Sequence, residues 1–462
     1  MAPRLLHYSD LENAYDDPAR LGRLAHLIRE RRDDKTLLCD TGDTTAPGLL
    51  SMETRGRHVE RFYRAVEPDL ATFGNHDFDN GRDALESIVA NSPQTWLTAN
   101  LVESTTGERF AADLGVERTA IRSVGGTRIG FVGVTDPETV RTHPCAQSLA
   151  VQDPVSAVER AVDVLTDRGA ETVVVLSHAG HVDDDIARFE GVDLVLGGHV
   201  HDVRAECVDG TLVVHPGQRG GLLAEVRLAP EGPTADIHDV PPAVVATDVA
   251  DAYRDLRADL GLEQPIAEAQ TPIPRTVAEC YPESVVGNTV GDAIRWAADA
   301  DLAVYNAMSL RSGPPLSGAV TVGDLRSTVP FDNEIRTARL DGSEVGTLLE
   351  SLARPGPDLE VFGHLSGGRV RWRRTERDLE VESVTVDGGS IDSTTTYTVA
   401  APAFAFEHQL FDPLEPDRVV DVHGRCHPAL VEYVDRYGLS NVEERMTATV
   451  DDAPDSVRSL RE

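Results

Sequence analysis

The feature that most constrains the fold is the repeated pairing, over the first 230 residues, of a short apolar run with a polar end. Four such runs are TLLCDTGD (36–43), RIGFVGVTD (128–136), ETVVVLSHAG (171–180) and VDLVLGGHV (192–200). Helix-like stretches lie between them, as over 153–169, where apolar residues recur at helical spacing before a glycine. Strands that alternate with helices predict a layered α/β domain, and polar strand ends are where such domains place their sites.

The length of 462 residues exceeds that of one ordinary core and predicts more than one domain. Four prolines over 229–243 favour a connector, and a helix is predicted over 246–261. We therefore predict a first domain over 1–230, a linker with a bridging helix over 231–264, a second domain over 265–450 and a polar tail over 451–462.

Acidic residues outnumber basic ones by 78 to 43, which gives a formal net charge of −35. A charge of this size repels nucleic-acid backbones, so we expect no nucleic-acid polymer as a partner. It predicts a solvated acidic surface, as in halophilic proteins that stay soluble in concentrated salt. Binding of a basic partner is the alternative.

The cysteines and the apolar segments indicate where in the cell the protein is expected. The five cysteines show no CxxC spacing, so neither a disulfide framework nor a zinc knuckle is predicted. No run approaches 18 apolar residues, and the amino terminus has no apolar signal region. We expect a cytoplasmic protein that does not cross a membrane, and the sequence leaves the oligomeric state open.

Five loops of the first half offer side chains that bind metal ions, and each loop follows a strand-like run. Taken singly, none is specific, because a histidine after a strand is more often an ordinary polar residue than a ligand. Together, mixed carboxylate, imidazole and amide groups suit divalent first-row metals, and two such ions can clamp a phosphoryl group during its displacement. The candidates are Asp10, Glu12, Asp43, Asn75, His76, His178, His199 and His201.

These loops resemble the motifs of calcineurin-type metallophosphoesterases. LLHYSDLE resembles the strand I-L-H-T-N-D-x-H of that family, and GNHDFDNG resembles G-N-H-E-F-D-Y-G. The resemblance implies a four-layer α/β/β/α sandwich with Asp43 bridging two ions. It further implies that His76 and Asp79 stabilise the transferring phosphoryl group and protonate the leaving oxygen. One ion would be held by Asp10 and His201, and the other by Asn75, His178 and His199.

One position departs from the motif. Where D-x-H supplies a histidine, this chain has Glu12. If it coordinates, its hard oxygen favours Mn²⁺ or Mg²⁺ over Zn²⁺ more than the usual site does. The alternative is that Glu12 turns away and leaves a weak first site. The expected cofactors are two divalent ions, Mn²⁺ in preference, with Zn²⁺, Co²⁺ or Mg²⁺ as alternatives.

The second half resembles the α+β substrate domain of 5'-nucleotidases. GNTVGDAIRWAADADLAVYNAMSLR resembles G-N-L-x-x-D-A followed by A-D and N-x-G-G-I-R, and VFGHLSGGRVRW resembles F-L-Q-V-S-G-L. TVGDLRSTVPFDNEIRTARLDGSEV resembles T-x-x-D-L-x-x-x-x-P-F-x-N followed by L-x-G. The resemblance implies that Asn306 and Arg311 face the substrate and that Phe362 and Phe404 form a base-stacking slot. That both rings are ordinary core aromatics is the alternative.

Several features of the family's pocket are replaced. Met308 and Ser309 stand in place of two glycines, FEHQLF replaces a glycine-rich turn, and Cys280 stands where relatives carry a substrate arginine. The catalytic motifs are thus retained while the specificity pocket is altered.

The resulting hypothesis is a 5'-nucleotidase that converts a nucleoside 5'-monophosphate and water into a nucleoside and phosphate. Alternative enzymes are a cyclic-nucleotide phosphodiesterase, another phosphomonoesterase or a repair-type nuclease, and the negative charge argues against the last. A nucleotide-binding module with weak turnover is the alternative that is not an enzyme. The base and the number of phosphates of the small-molecule substrate stay open.

Overall fold

The computed structural model describes residues 2–137, 139, 146, 148–275, 283–354, 360–361, 363–374 and 379–450. Its contacts divide the chain into two compact units, residues 1–260 and 261–462. Phe362, Cys280 and the predicted tail over 451–462 lie outside the described residues. None of the helices in the described ranges combines the length and the apolarity needed to cross a bilayer.

Two six-stranded sheets form the first unit, in the orders β14-β13-β1-β2-β3-β4 and β11-β12-β10-β9-β7-β6. Strands β1 to β4 run parallel to one another, as do β7, β9, β10 and β12. Beside the sheets, β5 pairs with β8. The strands are β1 (Arg4–Tyr8), β2 (Thr36–Asp40), β3 (Leu70–Ala71), β4 (Thr95–Trp96), β5 (Leu101–Glu103), β6 (Thr119–Val124), β7 (Thr127–Thr135), β8 (Leu149–Val151), β9 (Thr172–His178), β10 (Leu194–Gly197), β11 (Val203–Val208), β12 (Thr211–Pro216), β13 (Leu222–Ala229) and β14 (Gly232–Asp239).

The apolar side chains show how the layers stack. Leu5 and Cys39 of the first sheet pack with Val174 and Leu196 of the second in one buried cluster. The other face of the second sheet packs on helix α5, and α1 contacts β13 of the first sheet. The predicted α/β/β/α sandwich is confirmed. Its helices are α1 (Pro18–Arg31), α2 (Leu49–Thr54), α3 (Val59–Val66), α4 (Arg82–Asn91), α5 (Pro154–Asp167), α6 (Asp183–Ala187) and α7 (Thr247–Asp259).

The proline-rich stretch predicted as a connector contains a strand. Gly232–Asp239 forms β14, which pairs with β13 at the edge of the first sheet, where a proline such as Pro233 is tolerated. Helix α7 also belongs to the first unit, because the Tyr253 hydroxyl donates to the His58 carbonyl at 2.9 Å. The linker expected over 231–264 is therefore corrected: most of it is part of the first unit.

The second unit is built on a five-stranded sheet, β21-β16-β25-β18-β26, with a four-stranded sheet, β24-β23-β22-β27. Two-stranded pairs β15-β17 and β19-β20 complete its strands within the described residues. These strands are β15 (Pro265–Ile273), β16 (Leu302–Asn306), β17 (Leu316–Thr321), β18 (Glu334–Asp341), β19 (Ala353–Arg354), β20 (Glu360–Val361), β21 (Gly363–Ser366), β22 (Gly368–Arg374), β23 (Leu379–Val386), β24 (Gly389–Ser390), β25 (Thr396–Pro402), β26 (Val419–Arg425) and β27 (Met446–Val450).

Alternation along β16 places two cores on opposite faces of the five-stranded sheet. Ala303 and Tyr305 pack in one buried cluster, while Leu302 and Val304 pack in the other. The predicted α+β second domain is thereby confirmed. Its helices are α8 (Val285–Ala298), α9 (Val322–Arg326), α10 (Gly342–Ser351), α11 (Ala403–Glu407) and α12 (Cys426–Tyr437).

A buried histidine of the first unit predicts acid sensitivity. Burial, and then Arg61, lower the pKa of His58 to about 3, against about 6.5 in an unfolded chain. Since only the unfolded chain takes up this proton, the free energy of unfolding falls as pH drops from about 6.5 towards 3. The substitution His58→Gln, which can keep the hydrogen bond to Thr54, should reduce that slope by up to about 1.4 kcal/mol per pH unit, a limit approached near pH 5. Urea unfolding at pH 7, 6 and 5 measures it, and unchanged slopes would contradict the prediction.

Candidate metal centre

The predicted ligands of the first unit follow strands whose carboxyl ends meet at one edge of the sandwich. Asp10 follows β1, Asp43 follows β2, His178 ends β9, and His199 follows β10. Parallel strands of one sheet end at the same edge, so side chains far apart in sequence become neighbours.

Asp43, His178 and His199 form the centre of this cluster, with one ligand atom from each lying within 4.8 Å of the others. His178 Nε2 is 3.1 Å from Asp43 Oδ2, and both side chains are buried. His199 Nδ1 lies 2.9 Å from the amide oxygen of Asn75. The structure therefore brings four of the predicted ligands close together, with Asn75 reaching the group through His199.

Glu12 lies beside Asp10 and beside His201, the second histidine of the GGHVH loop. His201 Nε2 is 3.4 Å from Asp10 Oδ1 and 3.4 Å from Glu12 Oε1. The Glu12 side chain is buried and directed into the cluster, with Arg219 Nε 3.6 Å from its other oxygen. The structure thus brings Glu12 to the predicted ligands, together with a cation that offsets its charge.

A left-handed backbone conformation orients several of these side chains. Asp10, Glu12, Asp43 and His199 have φ angles of 50°, 46°, 51° and 71°. Residues other than glycine rarely adopt this left-handed region, and such residues cluster at functional sites. A Cβ atom on Gly74 would lie 2.1 Å from Asp43 Oδ1, so only glycine fits beside this ligand.

One buried carboxylate joins the loops that carry Asp43 and Asn75. Asp77 accepts hydrogen bonds from the backbone N–H groups of Asp43 (3.2 Å), Thr44 (3.2 Å), Thr45 (3.0 Å) and Gly74 (2.8 Å). It also accepts one from the Thr45 hydroxyl, at 2.9 Å. Both loops therefore take their shape from one side chain.

Removing this acceptor should be costly. Asp77→Ala leaves several buried N–H donors unpaired, so we expect a loss of about 3–5 kcal/mol in the free energy of unfolding. Asp79→Ala is the matched control, because Asp79 is partly exposed and should cost far less. Urea unfolding of the two variants makes the comparison, and equal losses would mean that Asp77 does not organise the loops.

His76 and Asp79 form a pair beside the cluster. His76 Nδ1 is 3.0 Å from Asp79 Oδ2, and the His76 backbone N–H donates to Asp43 Oδ1 at 2.7 Å. Burial alone would lower the pKa of His76, but Asp79 and Asp43 raise it to about 10. The two carboxylates thus favour the protonated form of this partly exposed ring, which lies next to the central carboxylate.

The predicted substrate residues of the second unit are only partly described. The side chain of Asn306 accepts from the Met308 N–H at 3.1 Å, and the Arg311 guanidinium lies 4.8 Å from the Phe331 ring centroid. Phe404 is 37% exposed and tilted against the His408 ring, at 4.2 Å between centroids. Phe404 is thus not a core aromatic, and the slot with Phe362 remains a prediction because Phe362 is outside the described residues.

Comparison with known families agrees with both units. The calcineurin-like phosphoesterase model matches residues 3–203, and the model of the 5'-nucleotidase C-terminal domain matches residues 265–411. The chain belongs to the metallophosphoesterase/5'-nucleotidase family. Members of this family are hydrolases that act on phosphate esters.

Individual relatives of this metallophosphoesterase span both units or one. The endonuclease YhcR of Bacillus subtilis is 25% identical over 426 residues, which cover 83% of this chain and 34% of the relative. The 5'-nucleotidase of Diplobatis ommata is 31% identical over 172 residues, 36% of this chain and 30% of that protein. The chain therefore spans about a third of the length of these curated relatives.

Among solved structures, a 5'-nucleotidase precursor from Thermus thermophilus superposes with a TM-score of 0.76 at 23% identity, covering 98% of this chain and 100% of that one. The sulfate thiohydrolase SoxB of Thermus thermophilus gives a TM-score of 0.72 at 22% identity, over 97% and 96% of the two chains. At these identities the likeness shows the fold.

The donor set of this metallophosphoesterase fits divalent cations. His178 Nδ1 lies 2.6 Å from the Thr41 carbonyl and donates to it, which leaves the lone pair of Nε2 facing the Asp43 carboxylate. Nε2 is buried and makes no hydrogen bond among the described residues. Burial alone would lower the pKa of His178, but Asp43 and Asp10 raise it to about 10, so the pocket favours positive charge at this nitrogen. A metal cation between the imidazole and the carboxylate would supply that positive charge.

Sequence reasoning missed three residues of this metallophosphoesterase site. Asp136 Oδ2 lies 3.4 Å from His199 Nε2, and its place directly after β7 was the signal that could have found it. Asp77 sits inside the GNHDFD motif, but its role depends on loop contacts that spacing does not encode. Arg219 follows a distant strand and carries no sequence signal.

Proposed function

We propose that this chain is a 5'-nucleotidase, which uses two divalent cations to hydrolyse nucleoside 5'-monophosphates to nucleoside and phosphate. The observation that carries the proposal is the His76–Asp79 pair beside the Asp43–His178–His199 cluster. An acidic ligand cluster alone would fit a storage or structural metal. A partly exposed imidazole that is held by a carboxylate beside the cluster is placed to protonate a departing alkoxide.

The residues proposed to hold the cations divide around Asp43, which would bridge them. When bound, the cations activate a water molecule and neutralise negative charge on the phosphoryl oxygens. One ion would be held by Asp10, Glu12 and His201, and the other by Asn75, His178 and His199.

His76 is proposed to carry the proton. Asp79 orients the ring through Nδ1 and stabilises its charge, so Nε2 is the nitrogen that donates to the leaving oxygen. The same positive charge stabilises the phosphoryl group as negative charge builds on it. The ring then recovers its proton from solvent, because it is only partly buried.

Glu12 is proposed to set the metal preference. Replacing its oxygen by an imidazole nitrogen in Glu12→His should shift affinity from Mn²⁺ towards Zn²⁺. Arg219 then loses its carboxylate partner, so Glu12→His with Arg219→Gln should bind Zn²⁺ more tightly than Glu12→His alone, by relief of repulsion. Calorimetric titration of each metal into the wild type and the two variants measures this. Identical metal profiles would mean that Glu12 does not coordinate.

Cleavage of a nucleic-acid polymer is the rival, because one relative is an endonuclease. The net charge of −35 opposes binding of a polyanion, and a small nucleotide avoids most of that repulsion.

The function is tested by phosphate release from nucleoside mono- and diphosphates, cyclic nucleotides and an aryl phosphate, with single-stranded DNA scored by gel. Each is assayed with Mn²⁺, Co²⁺, Zn²⁺ and Mg²⁺. We expect monophosphates to give the highest kcat/KM, and Arg311→Ala to lower it for nucleotides while sparing the aryl phosphate. Equal kcat/KM for nucleotides and aryl phosphate would contradict a nucleotidase, and preferential DNA cleavage would favour the rival.

A further inference from the structure

A cleft of about 840 Å³ lies in the first unit beside helix α5, and none of the proposed metal ligands lines it. The guanidinium-bearing side chains of Arg109, Arg118 and Arg160 all contribute to its wall. We propose that this cleft is a second binding site, which takes a small anion bearing phosphate or carboxylate groups. The volume is in the range of small-molecule sites.

The three arginines keep their charge available. Arg118 donates to the Ala99 carbonyl at 3.0 Å, and Arg160 donates to the side-chain oxygen of Gln152 at 3.2 Å. Arg109 Nε is buried and makes no hydrogen bond within the described part of the chain. None of the three forms an ion pair with a described carboxylate, whereas arginines such as Arg4 do.

The wall of this cleft gathers positive charge although the protein as a whole is acidic. With 78 acidic and 43 basic residues, an arginine meets a carboxylate more readily than another arginine. Burial, and then the positive charge of Arg118, lower the pKa of Arg109, while Glu117 opposes this to a smaller extent, so the two guanidinium groups repel each other. A bound anion between them would relieve the repulsion.

Two acidic residues also line the cleft and offset part of its positive charge, since Asp153 interacts electrostatically with Arg160 and Glu117 with Arg109. The Asp153 side chain caps α5 by accepting from the Ser156 N–H at 2.8 Å, so one carboxylate oxygen is already occupied. Glu117 is the other, and the three arginines outnumber the two carboxylates.

The chemistry of the wall defines the ligand. Guanidinium groups bind the oxygens of phosphate and carboxylate in pairs, which a chloride ion cannot match. The two sources of that chemistry are free phosphate and a phosphate carried on a small organic molecule. Calorimetric titration of inorganic phosphate and of ribose 5-phosphate into the metal-loaded full chain, at constant ionic strength, distinguishes them.

We expect an equivalent of ligand to bind in addition to any held at the metal centre. In Arg118→Gln with Arg160→Gln that equivalent should bind at least about tenfold more weakly, while kcat/KM for a nucleotide is unchanged. The matched control is Arg188→Gln with Arg254→Gln, which removes the same charge from exposed positions elsewhere. It should retain the extra equivalent at full affinity.

Two results would overturn the proposal. One is that wild type binds neither ligand beyond the metal centre. The other is that the control pair weakens binding as much as the cleft pair, which would show an effect of net charge alone. Melting temperatures of the variants verify that each is folded. Because the readout is stoichiometry and not turnover, failure here leaves the nucleotidase proposal standing.

Discussion

Exhaustive chelation is expected to abolish phosphate release by the chain, and added Mn²⁺ should restore it. In the proposed function no side-chain nucleophile is assigned around Asp43, and bound cations would activate the attacking water molecule. Chelated protein, dialysed free of chelator and assayed before and after addition of each metal, gives the measurement.

Asp43→Asn provides the control for that experiment. The amide cannot bridge two cations as a carboxylate does, so restored metal should not restore turnover in this variant. The melting temperature should report metal binding separately from turnover, because added Mn²⁺ should raise it more in wild type than in Asp43→Asn. Full phosphate release after complete removal of metal would contradict a metal-dependent reaction.

His76→Asn is expected to lower kcat by about 100- to 10,000-fold, the usual contribution of a general acid. The loss should be greatest for nucleotides, whose alkoxide leaving group needs a proton, and smaller for an aryl phosphate with a more acidic leaving group. Steady-state kinetics with both substrates, on protein of measured metal content, tests the assignment.

A comparison of His76→Asn with Asp79→Asn tests whether His76 acts as the acid or as a metal ligand. Asp79→Asn removes the carboxylate that orients the ring, so it should show a smaller loss in the same direction. Metal content should be unchanged in both variants. If His76→Asn instead loses metal, His76 is a ligand and its assignment as the acid is wrong.

Much of the site could be predicted because parallel strands share an edge. Strand-like runs that end in His178 and His199 place these two side chains at one edge of the second sheet, and the stacking of the two sheets brings Asp43 to them. The same logic applies to Asp136, which ends such a run and was not recognised as part of the site. A polar residue at the end of a strand-like run is thus predicted to lie at the shared edge, even where the geometry of the loops is unknown.

Other contacts could not be read from sequence. Arg219 approaches Glu12 because the loop after β12 returns across the ligand edge, a contact between residues separated by most of the unit. Gly232–Asp239 looked like a connector because prolines disfavour central strands, but an edge strand has one side that needs no partner. In both cases the structure depends on tertiary contacts that the local sequence pattern does not specify.

The left-handed backbone at four of the proposed ligand positions bears on how this family would diverge. At Asp10, Glu12, Asp43 and His199 the backbone lies in a left-handed region that glycine or asparagine would occupy at lower cost. A descendant released from selection for hydrolysis should therefore gain stability by accepting such residues there. Decay of activity would begin at these positions while the sandwich persisted, so the residues found there would distinguish working enzymes from inactive descendants.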